Sequence, residues 1–95
     1  MRFEVLYHDK VVSEDIPKLD KASKERVKRD IESKLTARPE VFGRPLRKSL
    51  KGYRKLRSGD YRVVFRIDGE IIRILTIEHR SIVYEKGMER LKNDK

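Results

Sequence analysis

The chain contains no cysteine. Disulfides, thiolate-held metals and a cysteine nucleophile are therefore excluded. Only two histidines are present, His8 and His79, and no carboxylate cluster has ligand spacing, so neither a metal nor a cofactor is expected. Neither standard glycine-rich phosphate loop occurs, and no Ser-His-Asp arrangement follows from the spacing. No apolar run approaches the length of a transmembrane helix, and the opening Met-Arg-Phe-Glu-Val carries no apolar signal core. No helix pairs a basic face with exposed aromatics, so a membrane surface is not the expected partner. These absences predict a cytoplasmic protein. Apolar residues make up 37% of the 95 and charged residues 43%. The apolar ones are periodic rather than scattered, so a small core is expected within one domain spanning 1–95.

What is present is charge of one sign. Between Arg44 and Arg66 lie nine basic residues and one acidic one, in a chain whose net charge is +9. An anionic partner follows: nucleic acid, a ribosome or an acidic protein. The second half of this stretch has strand alternation and turn residues, so the field is expected on a rigid sheet rather than on a loose tail.

Arg2–Tyr7 alternates, with Phe3, Val5 and Tyr7 against Arg2, Glu4 and Leu6, and reads as a strand. A short helix over Lys10–Asp15 is disturbed by Pro17. Asp20 or Ser23 caps the next helix, whose stripe Val27, Ile31 and Leu35 runs at i, i+4 and i+8. Arg38-Pro39 ends it, and Glu40–Gly52 reads as a connection anchored by Leu46 and Leu50. Three strands follow, about Tyr53–Arg57, Tyr61–Ile67 and Glu70–Glu78, turned at Ser58-Gly59 and Asp68-Gly69. Val83–Asn93 reads as a C-terminal helix or turn that packs through Met88 and Leu91. The expected class is α+β: an N-terminal strand, two helices on one face of a mainly antiparallel four-stranded sheet, and a short C-terminal helix.

Two-residue loops at those turns set the faces. They place Ile67 opposite Glu70, Phe65 opposite Ile72 and Val63 opposite Ile74, an apolar side for helices to cover. The other side carries Arg62, Val64, Arg66, Ile71, Arg73, Leu75 and Ile77. In the first hairpin Lys55 falls opposite Arg62 and Arg57 opposite Asp60, all on this second side, with Leu56 in the core. Like charges side by side on a sheet are unfavourable unless an anion lies between them.

The chemistry left open is metal-free phosphoryl transfer on RNA. There the 2′-hydroxyl attacks the adjacent phosphorus. The reaction needs a proton acceptor, cations for the phosphorane and a donor for the leaving 5′-oxygen. Lys55, Arg57, Arg62, His79, Arg80 and Tyr84 are the candidates. Each alone is more often structural; their convergence on the end of one basic sheet face is the argument.

GYRKLRSGDYRVVFRI, followed by IRILTIEHRSIVY, resembles the RelE/ParE superfamily of bacterial and archaeal toxins, and the order of elements matches over nearly the whole chain. The resemblance implies a toxin of a type II toxin–antitoxin pair with a RelE-like fold. RelE-like members cut mRNA in the ribosomal A site without metal. ParE-like members share the fold and inhibit DNA gyrase, and a third class would bind only antitoxin and operator. Carried over by position, Arg62 of GDYR matches the arginine that stabilises the transition-state phosphate. Lys55 matches one of two lysines in the preceding strand, Arg80 the arginine of the last loop, and Tyr84 the C-terminal tyrosine that stacks on or activates the substrate nucleotide. His79 resembles a histidine of related ribosome-dependent nucleases. The second lysine of the RelE pattern falls at Tyr53, so Lys55, His79 and Tyr84 compete as general base. Arg44, Arg47, Lys48, Lys51, Arg54, Arg57, Arg66 and Arg73 are the expected RNA-contacting cations. The implied partners are a cognate antitoxin, the ribosome with its mRNA and rRNA phosphates, and operator DNA only through the antitoxin complex.

Overall fold

The computed structural model describes residues 2–93. Strand β1 (Glu4–Tyr7) turns Phe3, Val5 and Tyr7 onto the core and leaves Leu6 on the other side. Helix α1 (residues 9–18) is wound as a π-turn over Val11–Asp15 and as α-helix over Ile16–Lys18. The Ile16 N–H bonds to the Val11 carbonyl in the wider i→i+5 pattern, just ahead of Pro17, which has no N–H to give. Helix α2 (residues 21–35) starts at Asp20, whose carboxylate accepts from the Ser23 N–H at 3.2 Å. Its stripe Val27, Ile31 and Leu35 is buried as expected, and its last turn, Ile31–Leu35, also takes the π winding.

The predicted connection is more structured than its punctuation suggests. Pro39 opens a short helix α3 (Pro39–Phe42), Arg44–Pro45 forms strand β2, and Lys48–Leu50 makes one 3₁₀ turn. β2 adds a fifth strand to the four expected. Strands β3 (Arg54–Ser58), β4 (Tyr61–Asp68) and β5 (Ile71–His79) complete a sheet of order β1-β5-β4-β3-β2. Only the β1–β5 pairing is parallel; the other three are antiparallel. Helices α1 and α2 cover one face around Val63, Phe65, Ile72, Ile74 and Ile77. Helix α4 (Val83–Asn93) packs on the opposite face with Val64, Leu75 and Leu50.

Two register corrections follow from the hairpins. Gly59 and Gly69 take positive φ as the first central residues of their turns, so the loops are Gly59-Asp60 and Gly69-Glu70, one residue later than expected. Each pairing slides by two positions, which preserves every face. Arg57, not Lys55, stands opposite Arg62, and Lys55 stands opposite Val64. In the second hairpin Ile67 meets Ile72 and Phe65 meets Ile74.

A bulge then reverses parity. Phe65 pairs with Ile74 but Val64 with Thr76, so Leu75 is an extra residue on β5. Beyond it Ile77 joins the α1–α2 core instead of the mixed face expected for it. The bulge also turns the Leu75 carbonyl and the Ile77 N–H to the edge that β1 has left. Asp15 accepts from the Ile77 N–H at 3.0 Å and from the Thr76 hydroxyl at 3.1 Å. Arg90 donates to the Leu75 carbonyl at 3.0 Å and grips both oxygens of Asp15, at 2.7 and 3.1 Å. This buried pair ties α1 to α4 and closes the edge. On α4 the inward residues are Val83, Gly87 and Arg90, with Leu91 partly packed; Met88, expected inside, is exposed.

Candidate nucleic-acid interface

The α4 face of the sheet carries the basic residues in rows. Arg57 and Arg62 oppose each other at one end, with Glu78 beside Arg62 on β5. In the next row Arg44, Lys55 and Val64 stand across β2, β3 and β4. Opposed residues share a side, so Arg44, Lys55, Arg57 and Arg62 project together. They line a cleft of about 220 Å³ with Phe42, and no carboxylate lines it among the described residues. Two like-charged pairs, Arg44 with Lys55 and Arg57 with Arg62, thus stand in one concavity, an arrangement that an anion relieves.

Helix α4 brings Tyr84 to this cluster. The Lys55 ammonium donates to the Tyr84 hydroxyl oxygen at 2.9 Å and lies 5.5 Å from the ring centroid. The Arg62 guanidinium donates through Nη1 to the Gly59 and Tyr61 carbonyls, both at 2.9 Å. Those bonds hold the arginine against the β3–β4 turn. The Arg80 N–H bonds to the Asp60 carbonyl at 2.8 Å, which fixes the loop after β5 at the same end of the sheet.

His79 does not share this face. It pairs with Tyr61, whose ring it meets edge-on at 5.8 Å, and Tyr61 packs against the α1–α2 core. The Leu75 bulge is the cause, since an unbroken strand would have set His79 with Arg62. Its Nδ1 accepts from the Ser81 N–H at 3.2 Å and is 2.8 Å from the Ser81 hydroxyl.

The remaining cations divide. Arg54 points to the α1–α2 side with its partner Phe65 and donates to the Gly43 carbonyl at 3.0 Å and to that of Glu40 at 3.5 Å, so it holds α3 rather than facing the cleft. Arg66 and Arg73 oppose each other further along the basic face, near Tyr53 and Leu6. Arg73 is bound to Asp68 at 2.9 Å, and that hydrogen bond holds the Asp68 carboxyl below its usual range. Arg47, Lys48 and Lys51 are exposed around the 3₁₀ turn. Phe42 and the Asp15–Arg90 pair carry no sequence signal of their own. Glu78 is buried with Oε1 lacking a hydrogen-bond partner, 4.0 Å from the Lys18 ammonium.

Solved structures share this frame. The RelBE2 toxin–antitoxin complex of Mycobacterium tuberculosis superposes with a TM-score of 0.75 at 29% identity, over 84% of this chain and 100% of that one. A doubly substituted variant of E. coli toxin RelE in the free state gives 0.72 at 20% identity, over 96% and 99%. The fold is that of the RelE-like toxins. Residues 6–84 match the family model described as the ParE toxin of the type II toxin–antitoxin system parDE, and the chain belongs to this family of the RelE/ParE superfamily. Toxin RelG of M. tuberculosis is 39% identical over 54 residues, which are 55% of this chain; the match spans 62% of RelG.

Proposed function

We propose that this toxin is a ribosome-dependent mRNA endonuclease that works without a metal. The observation that carries the reading is the 2.9 Å contact of Tyr84 with Lys55, which lines one cleft with Arg44, Arg57 and Arg62. A surface that only adheres to a protein has no need of a hydrogen-bonded proton-transfer couple among unpaired cations. In the proposed reaction the 2′-oxygen bonds to phosphorus and the P–O5′ bond breaks, giving a 2′,3′-cyclic phosphate and a 5′-hydroxyl. Once the Lys55–Tyr84 couple has given one proton to solvent, it takes the proton of the 2′-hydroxyl and returns it to the 5′-oxygen. Arg62, with Arg57 beside it, neutralises the phosphorane through preorganised donors. The ribosome supplies the single-stranded mRNA and the rRNA phosphates that the outlying cations Arg47, Lys48 and Lys51 contact. A cognate antitoxin is the second proposed partner, since solved relatives are complexes of toxin with antitoxin.

The match to a family described as ParE toxin supports a second reading, the gyrase inhibition by protein binding that the resemblance to ParE-like members implies. Pulse labelling after induction separates the two. Loss of protein synthesis, with new 5′ ends mapped on mRNA by primer extension, supports cleavage. Continued protein synthesis with failing DNA synthesis and supercoiling supports gyrase inhibition.

A further inference from the structure

Lys55 and the arginines account for phosphate, and the Tyr84 ring already has the Lys55 ammonium 5.5 Å from its centroid. Phe42 ends α3 with 43% of its surface exposed, and it is the single apolar residue among the five that line the basic cleft. Its position is built rather than incidental. Pro39 is buried at the start of α3, and Arg54 reaches across the sheet to bond the Gly43 and Glu40 carbonyls. Gly43 lies so close to the core that a Cβ there would stand 2.3 Å from Phe65 Cζ. The next residue, Arg44, is already in the sheet opposite Lys55. A one-turn helix is thus fixed at both ends, with Phe42 in the wall of the cleft. The Lys34 ammonium, 3.8 Å from the Asp30 carboxylate, lies over one face of the ring at 5.7 Å from its centroid.

We infer that Phe42 is a stacking platform for a nucleobase adjoining the phosphate held by Lys55, Arg57 and Arg62. An aromatic ring beside a cationic groove is how single-stranded nucleic acid is held, because every base has a π-face and every linkage a charge. A peptide helix would need more apolar wall than one ring. The subsite rests on the reading of this cleft as an RNA site, and it adds to that reading a residue that sets affinity for the base rather than the rate of bond breaking.

The chain has no tryptophan, so Phe42→Trp introduces a lone indole reporter. Titrating this variant with a short single-stranded RNA, 2′-O-methylated so that it cannot be cut, should quench the indole. An abasic oligonucleotide of the same length and charge should bind and leave it bright. Val41→Trp, on the same helix but outside the cleft lining, should not respond to either. Phe42→Ala should raise the dissociation constant for the base-bearing RNA roughly 5- to 150-fold and leave that for the abasic one unchanged. Equal quenching by both oligonucleotides, or none by the base-bearing one, overturns the subsite. Quenching by an acidic antitoxin peptide alone overturns it in favour of a protein dock. If RNA quenches the indole while wild-type toxin cuts no mRNA, the subsite stands and the nuclease reading falls. If wild-type toxin cuts mRNA with no quenching in the variant, the subsite alone falls.

Discussion

The α1–α2 face and the α4 face share the same strands, yet among the described residues the first buries eleven apolar side chains and the second four. Helices α1 and α2 lie across the strands and close their face. Helix α4 covers the neighbourhood of Val64 and Leu75 and stops short of Arg57 and Arg62, leaving them in the open cleft. The buried core is therefore concentrated on one side of the sheet and the basic cleft lies on the other. The Asp15–Arg90 pair is the joint between them, because it bonds α1 to the helix that carries Tyr84.

Substitutions on the closed face should give the largest changes. Phe65→Ala removes a fully buried ring from the centre of the sheet and should cost about 3–5 kcal/mol, read as a lower midpoint in a denaturant titration. A Phe65→Ala protein as stable as wild type would show that the α1–α2 core is not where the fold energy lies. Breaking the joint should cost about as much: Arg90→Met takes the cation from the buried Asp15 carboxyl and leaves it the Thr76 hydroxyl and the Ile77 N–H, at roughly 3–5 kcal/mol. Asp15→Leu with Arg90→Met should recover most of that loss. If the single variant is no less stable than the double one, the pair does not join the two faces.

Arg62→Ala on the open face should leave the denaturation midpoint near wild type and lower the cleavage rate about 10²–10³-fold, the effect of losing one preorganised donor to a developing oxyanion. Tyr84→Phe should share the loss in rate, because it removes the oxygen that Lys55 contacts. His79→Gln should cost little, since His79 faces Tyr61 across the sheet. A severe loss of single-turnover rate in His79→Gln, with Tyr84→Phe near wild type, would move the proton chemistry to the other face.

How much of this was legible follows from the range of each signal. The α2 stripe and the hairpins announce themselves within a few residues, through helical spacing and through Gly59 and Gly69. Faces survived the two-residue register slip because parity did. The Leu75 bulge has no local signature, since nothing in IIRILTIEH marks where parity changes, so Ile77 and His79 were set on the wrong side. β2 has only two residues, too few for a period, so Arg44 is named for its charge alone, and neither its place opposite Lys55 nor Phe42 at the cleft is marked. Arg90 reads as a surface cation because its partner is 75 positions away.

The smallest effects should come from two exposed carboxyls, one on each side of the comparison. Asp20 is held below its usual range first by its hydrogen bond with Ser23, and Asp68 first by its hydrogen bond with Arg73. A carboxyl lowered on folding adds stability above its unfolded pKa of about 3.9, and that stability is lost as pH falls through the lowered folded value. The gap in stability between wild type and Asp20→Ala should therefore be constant at neutral pH, narrow below about pH 4 and shrink further in stronger acid. Cleavage by this variant should match wild type, because the cap serves only the closed face. Asp68→Asn should show the same narrowing in acid but differ at neutral pH, where it releases Arg73 to the open face and tightens RNA binding slightly. Measuring oligonucleotide affinity for both variants at neutral pH decides the matter. If Asp20→Ala shifts that affinity as much as Asp68→Asn does, the two faces are coupled more tightly than the Asp15–Arg90 joint allows.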